Sequence, residues 1–116
     1  MLSLFEDFKE APKPERVKVV FRVDKETGDV TAVFPEILAD LNGLMTGYAH
    51  VGQHHAVGWS YLNDCTRPAQ EHETVELMRE LKQVYDDCEL VVYKRINRSM
   101  RNNLADSLRV ERSRWL

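Results

Sequence analysis

Hydrophobic and polar positions alternate along residues 17–23, where Val17, Val19, Phe21 and Val23 are separated by Lys18, Val20 and Arg22. A period of two in β-branched and aromatic residues predicts a strand with one face buried. Residues 24–29 are turn chemistry, with Gly28 free to take a positive φ, and Val30-Thr31-Ala32-Val33-Phe34 predicts a second strand that Pro35 ends. The two strands form an antiparallel hairpin. Beyond the Asn42-Gly43 turn, residues 44–51 alternate again. Met45, Gly47, Ala49 and Val51 share one face, with Leu44, Thr46, Tyr48 and His50 on the other, which places Tyr48 and His50 on the open face of the sheet. Residues 52–67 show no period and read as a long connecting loop, the kind that is functional or mobile in a compact domain.

The period then changes. Leu77, Met78, Leu81, Val84 and Tyr85 recur at three-four spacing, so residues 69–86 predict an amphipathic helix entered through Thr66 or Arg67 and Pro68, and broken at Asp86-Asp87. Glu89-Leu90-Val91-Val92-Tyr93 predicts a fourth strand. The expected fold is α+β: an antiparallel sheet in the order β-β-β-α-β with one helix packed on one face. A C-terminal amphipathic helix follows, with Ile96, Met100, Leu104, Leu108 and Trp115 on one side and Arg98, Arg101, Arg109 and Arg112 on another. This divides the chain into a lead-in at 1–16, a domain at 17–95 and a helical extension at 96–116.

Composition places these elements in a class. A chain of 116 residues, 43% hydrophobic and 30% charged, has the size and balance of one globular domain. No apolar run approaches the roughly 18 residues a membrane span needs. Residues 1–9 carry acids where an export signal needs a basic end, so Cys65 and Cys88 read as free thiols in a reducing cytoplasm. The formal charge of −3 is unevenly placed. From Lys94 onward seven basic side chains face two acidic ones, a net +5 that leaves −8 on residues 1–93. A basic tail on an acidic body marks an interaction surface.

Candidate chemistry concentrates in residues 47–61, which hold three of the four histidines and three of the five glycines. His50, His54, His55, Cys65 and His72 are ligand-type side chains, but the spacing opposes a metal site. On a strand, positions four apart lie about 13 Å from each other at 3.3 Å per residue, whereas zinc ligands must reach about 2.0–2.1 Å from one ion. Only a turn at residues 51–53 brings His50 and His54 together, and no C-x-x-C or H-E-x-x-H is present, so no metal and no cofactor is assigned. For catalysis, a histidine base, Ser60 or Cys65 as nucleophile and Glu36 or Asp40 as orienting acid are available, without a motif that fixes any of them. The glycines stand in no phosphate-binding run. Tyr48, His50, Gln53, His54, Trp59 and Tyr61 instead have the aromatic and amide composition of a recognition surface. Arg98, Arg101, Arg109 and Arg112 are open to three readings: nucleic-acid phosphates, a partner or second copy of the chain, or packing back on the chain's own sheet.

The order Val19-Val20-Phe21-Arg22, Asp29 to Glu36, and Tyr48-Ala49-His50-Val51-Gly52-Gln53-His54, followed by Arg67-Pro68-Ala69 and Glu89 to Arg95, resembles a family of small uncharacterised proteins of bacteriophages and mobile bacterial DNA. The resemblance covers residues 17–95. It marks Phe34, Pro35, Tyr48, His50, Gly52, Gln53 and His54 as signature positions, and implies a phage or mobile-element context without a mechanism. The residues together predict a cytoplasmic, non-enzymatic binding domain that meets a protein partner through residues 48–61. Homo-oligomerisation through the terminal helix is part of the same expectation. A histidine-dependent enzyme, metal-assisted and acting on nucleic acid or a nucleotide, is the alternative.

Overall fold

The computed structural model describes residues 15–49 and 53–115. Its first four strands, β1 (Glu15–Asp24), β2 (Val30–Leu38), β3 (Met45–Ala49) and β4 (Gln53–Val57), run as an antiparallel meander. Two side-chain-built turns set their register. Asp24 Oδ1 accepts the backbone N–H groups of Glu26 and Thr27 at 2.8 and 3.0 Å, and Gly28 takes φ +78°. Asp40 Oδ1 accepts those of Asn42 and Leu44 at 2.9 and 3.3 Å, with Gly43 at φ +86°. Both are aspartate turns closed by a glycine in the left-handed region. The β2–β3 ladder shifts register between Phe34 and Leu38, where Pro35 has no N–H to give.

The chain then forms α1 (Trp59–Cys65), the short β5 (Thr66–Pro68), a 3-10 turn at Glu71–Glu73, α2 (Val75–Val84), β6 (Cys88–Tyr93) and α3 (Arg98–Trp115). The outer neighbour of β1 is split. β6 pairs in parallel with residues 15–20 of β1, and β5 pairs antiparallel with residues 22–24. The sheet is therefore mixed, ordered β4-β3-β2-β1 with β5 and β6 sharing the far edge.

This corrects the expected β-β-β-α-β order and the purely antiparallel sheet. The chain passes over one face of the sheet through α2 before β6, and such a crossover allows a parallel neighbour where a tight hairpin does not. The stretch read as a loop at 52–67 contains β4, α1 and the start of β5. The helix read at 69–86 is shorter, at Val75–Val84.

Both faces of the sheet are covered. Val17, Val19, Phe21, Ala32, Phe34 and Tyr48 pack against Leu77 and Leu81 of α2. On the opposite face Val33, Met45 and Val57 pack with Leu62 of α1 and Leu104 of α3. The apolar side of α3 thus lies on the chain's own sheet, with Met100 and Leu104 buried. Asn97 starts that helix by accepting the Met100 N–H at 2.9 Å. No helix among the described residues is long and apolar enough to cross a membrane.

Candidate functional site

The α2 face holds the histidine region. Tyr48 is buried there and its hydroxyl donates to Glu80 Oε1 of α2 at 2.6 Å. His54 Nε2 meets the Tyr85 hydroxyl at 2.7 Å, and its ring stands edge-on to Tyr48 with centroids 4.8 Å apart. Tyr85 also tilts against Phe34 at 5.2 Å. Burial, with a smaller contribution from Cys88, pushes the Tyr85 hydroxyl above its ordinary pKa and keeps it protonated. The group ties β3 and β4 to the helix. It corrects the expectation that Tyr48 faces an open side of the sheet: its parity is as read, but α2 occupies that side. His50 lies outside the described residues. His55 points to the other face, against Gly47, where a Cβ would meet its Nε2 at 3.0 Å and Val57 Cγ2 at 2.6 Å. Among the described residues no three His, Cys, Asp or Glu side chains gather as a metal-ligand set.

The α1–α3 face presents a cleft. α1 begins with Trp59 and is held at its other end by Arg22, which stands near the C-terminal end of β1. Arg22 Nε donates to Thr66 Oγ1 at 2.9 Å, and Nη2 donates to the carbonyls of Leu62 and Thr66 at 3.2 and 3.0 Å. The Thr66 hydroxyl closes the same turn on Leu62 O at 2.6 Å. A cation at the last carbonyls of a helix satisfies acceptors that have no intrahelical donor. Burial lowers the Arg22 pKa, and among the described residues no carboxylate pairs with it.

Arg101, one turn into α3, lies over the Trp59 ring with its guanidinium carbon 4.2 Å from the centroid. The pair sits in a cavity of about 420 Å³, walled by Leu104, Ala105 and Leu108 of α3 and edged by the amides of Asn42 and Asn63. Gly43 lets α3 approach: at φ +86° a Cβ there would come within 3.2 Å of Leu108 Cδ2. A second lobe of about 140 Å³ shares Trp59, Asn63 and Arg101, and adds Arg22 and Arg95 over a floor of Val20, Leu62 and Ile96. Neither lobe is lined by a carboxylate or a histidine.

The remaining sequence-predicted site residues are dispersed. Gln53 is an exposed ladder residue opposite Ala49. Tyr61 turns to the first hairpin and donates to Asp24 Oδ2 at 2.7 Å. Arg109 pairs with Asp106 at 3.1 Å, and Arg112 donates twice to the Leu41 carbonyl at 3.1 and 2.9 Å. Arg98 is exposed at the start of α3. Two pairs of them come together among the described residues: Tyr48 with His54 on the α2 face, and Trp59 with Arg101, from two separate segments, in the cleft. Arg22, Arg95, Asn42 and Asn63 were not singled out from the sequence. Arg22 alone carried a visible signal, a charge within a hydrophobic strand.

The chain matches no family model, no curated protein and no solved structure.

Proposed function

We propose that this chain is a non-enzymatic binding domain whose recognition site is the cleft between α1 and α3. The observation that carries the reading is the Arg101–Trp59 pair at 4.2 Å inside a cavity of about 420 Å³. A half-open cavity with an apolar wall, an aromatic ring and a few convergent polar groups is the usual form of a ligand site. Its occupant pairs a planar or apolar body with negative charge, because every charged group lining the cleft is a guanidinium. The histidine-enzyme alternative has less support, since His54 is engaged by Tyr85 and neither lobe is lined by a histidine.

Anilinonaphthalene sulfonate, a planar apolar anion, is a suitable probe for the full-length chain labelled with nitrogen-15. It is expected to shift the Trp59 indole N–H and the Asn42 and Asn63 amides saturably. Trp59→Ala should abolish that response, and Tyr85→Phe on the opposite face should leave it intact. Saturable shifts that survive Trp59→Ala, or that centre on the α2 face, would overturn the assignment.

A further inference from the structure

We propose that the smaller lobe is a phosphate subsite, and that the cleft takes a phosphate monoester whose planar body lies in the larger lobe against Trp59. This rests on the reading of the cleft as the binding site and names its ligand chemistry. Three arginines line the smaller lobe from independent elements: Arg22 from β1, Arg95 from the β6–α3 connection and Arg101 from the first turn of α3. None has a carboxylate partner among the described residues, although the body of the chain is strongly acidic. Other cations of the body do have one: Lys18 meets Glu36 at 3.1 Å and Arg67 meets Glu73 at 2.8 Å. Arg22 is half-buried, and Arg95 and Arg101 are exposed at the mouth. Cations lining one site without an anion repel, and an arriving anion relieves that repulsion.

Geometry favours phosphate over carboxylate. A carboxylate is satisfied by one guanidinium in a flat two-point pairing, whereas a phosphate offers three outer oxygens and about two charges to donors arriving from several directions. Arg22 fits a fixed donor. Its Nε and Nη2 are committed to Thr66 and Leu62, which holds the plane of the group, and Nη1 has no partner among the described residues. The lobe's volume of about 140 Å³ leaves room for a phosphate group. It adjoins the larger lobe, with Trp59, Asn63 and Arg101 lining both. The body of a monoester held in the first lobe has the second beside it, where Leu104 and Leu108 supply an apolar wall and Asn42 supplies an amide donor and acceptor.

The test uses the full-length chain with inorganic phosphate, phenyl phosphate, adenosine monophosphate and phenol as probes, at matched ionic strength against chloride. Inorganic phosphate is expected to move the Nε–H signals of Arg22, Arg95 and Arg101 saturably while chloride does not. Phenyl phosphate or adenosine monophosphate should bind at least about tenfold tighter than inorganic phosphate or phenol, and the tighter of the two identifies the ring class. Arg95→Gln and Arg101→Gln should each weaken phosphate about tenfold. Arg22→Lys keeps the charge but gives up part of the α1 anchor, so it should weaken phosphate and lower the melting temperature. The exposed Arg95→Gln should instead weaken phosphate with a native melting profile. Equal responses to chloride and phosphate would sink the proposal, as would phosphate shifts unmoved by Arg95→Gln. If the sulfonate probe still reports on Trp59 in that case, the cleft stands and only its phosphate chemistry falls. Silence from both probes removes both.

Discussion

Tyr61 illustrates how one hydrogen bond fixes a residue's role. Its hydroxyl donates to Asp24 at 2.7 Å, so the ring pins α1 to the first hairpin. That bond, then burial and the Asp24 charge, push the Tyr61 pKa up to about 12. The same bond, with the Thr27 and Glu26 N–H groups, holds Asp24 below its ordinary value. The signs differ. A raised pKa favours the protonated tyrosine in the folded state, so its contribution is complete below about pH 10 and is lost as the pH climbs toward 12. The depressed Asp24 contributes above its unfolded pKa and loses that contribution as the pH falls through its folded value. Tyr61→Phe is therefore expected to melt below the wild-type chain at pH 7, with the gap closing near pH 12 and again in strong acid. A gap independent of pH in thermal melts would contradict this. The sequence made the aromatic character of this region legible, and the facing of Tyr48 by parity, but not what Tyr48 faces. Alternation assigns a side of a sheet, and only the packing of a distant helix decides whether that side is open.

Among the elements, α3 shows what a helical stripe does and does not specify. The sequence carries the helix and most of its apolar side: Met100 is fully buried and Leu104 is 5% exposed. The helix starts at Arg98 rather than Ile96, however, and Trp115, read on the same side, is 77% exposed. The partner of that side was open to three readings. The chain's own sheet supplies it through Val33, Met45 and Val57. Leu104→Ala is expected to cost about 2–5 kcal/mol, measured by urea unfolding, because it opens a cavity between helix and sheet. A loss below about 1 kcal/mol would mean that α3 is only loosely seated. Other elements carried no readable signal. β4 is an edge strand in which Val57 alone is buried, so it shows no hydrophobic period. α1 is seven residues long with one buried side chain, Leu62, too short for three-four spacing to repeat. The four strands with strong alternation or β-branched runs were legible for the opposite reason.

At the scale of the whole molecule, the charge asymmetry takes on a different meaning once α3 is placed. Seen as a sequence, seven basic residues after position 93 resemble a phosphate-binding face. Folded, that set is broken up by local partners. Arg109 goes to Asp106, Arg112 to the Leu41 carbonyl and Arg114 to Glu111, while Arg101 lies over the Trp59 ring. Arg95 and Arg101 join Arg22 in lining one small lobe, on a chain whose residues 1–93 carry a net −8. A duplex needs a row of cations matched to its phosphates, and the acidic body repels the rest of the polyanion. Affinity for duplex DNA is therefore expected to be weak near physiological salt. Any residual binding should show a shallow dependence on salt, with log affinity against log salt near a slope of −1, the value for one neutralised phosphate. A fluorescence anisotropy titration across 50–200 mM salt measures this. A slope of about −5 or steeper would restore the arginine stripe as an extended nucleic-acid face. The shallow slope, found together with Arg95-dependent binding of a phosphate monoester, is what a site for one phosphate group produces and a polyanion track does not.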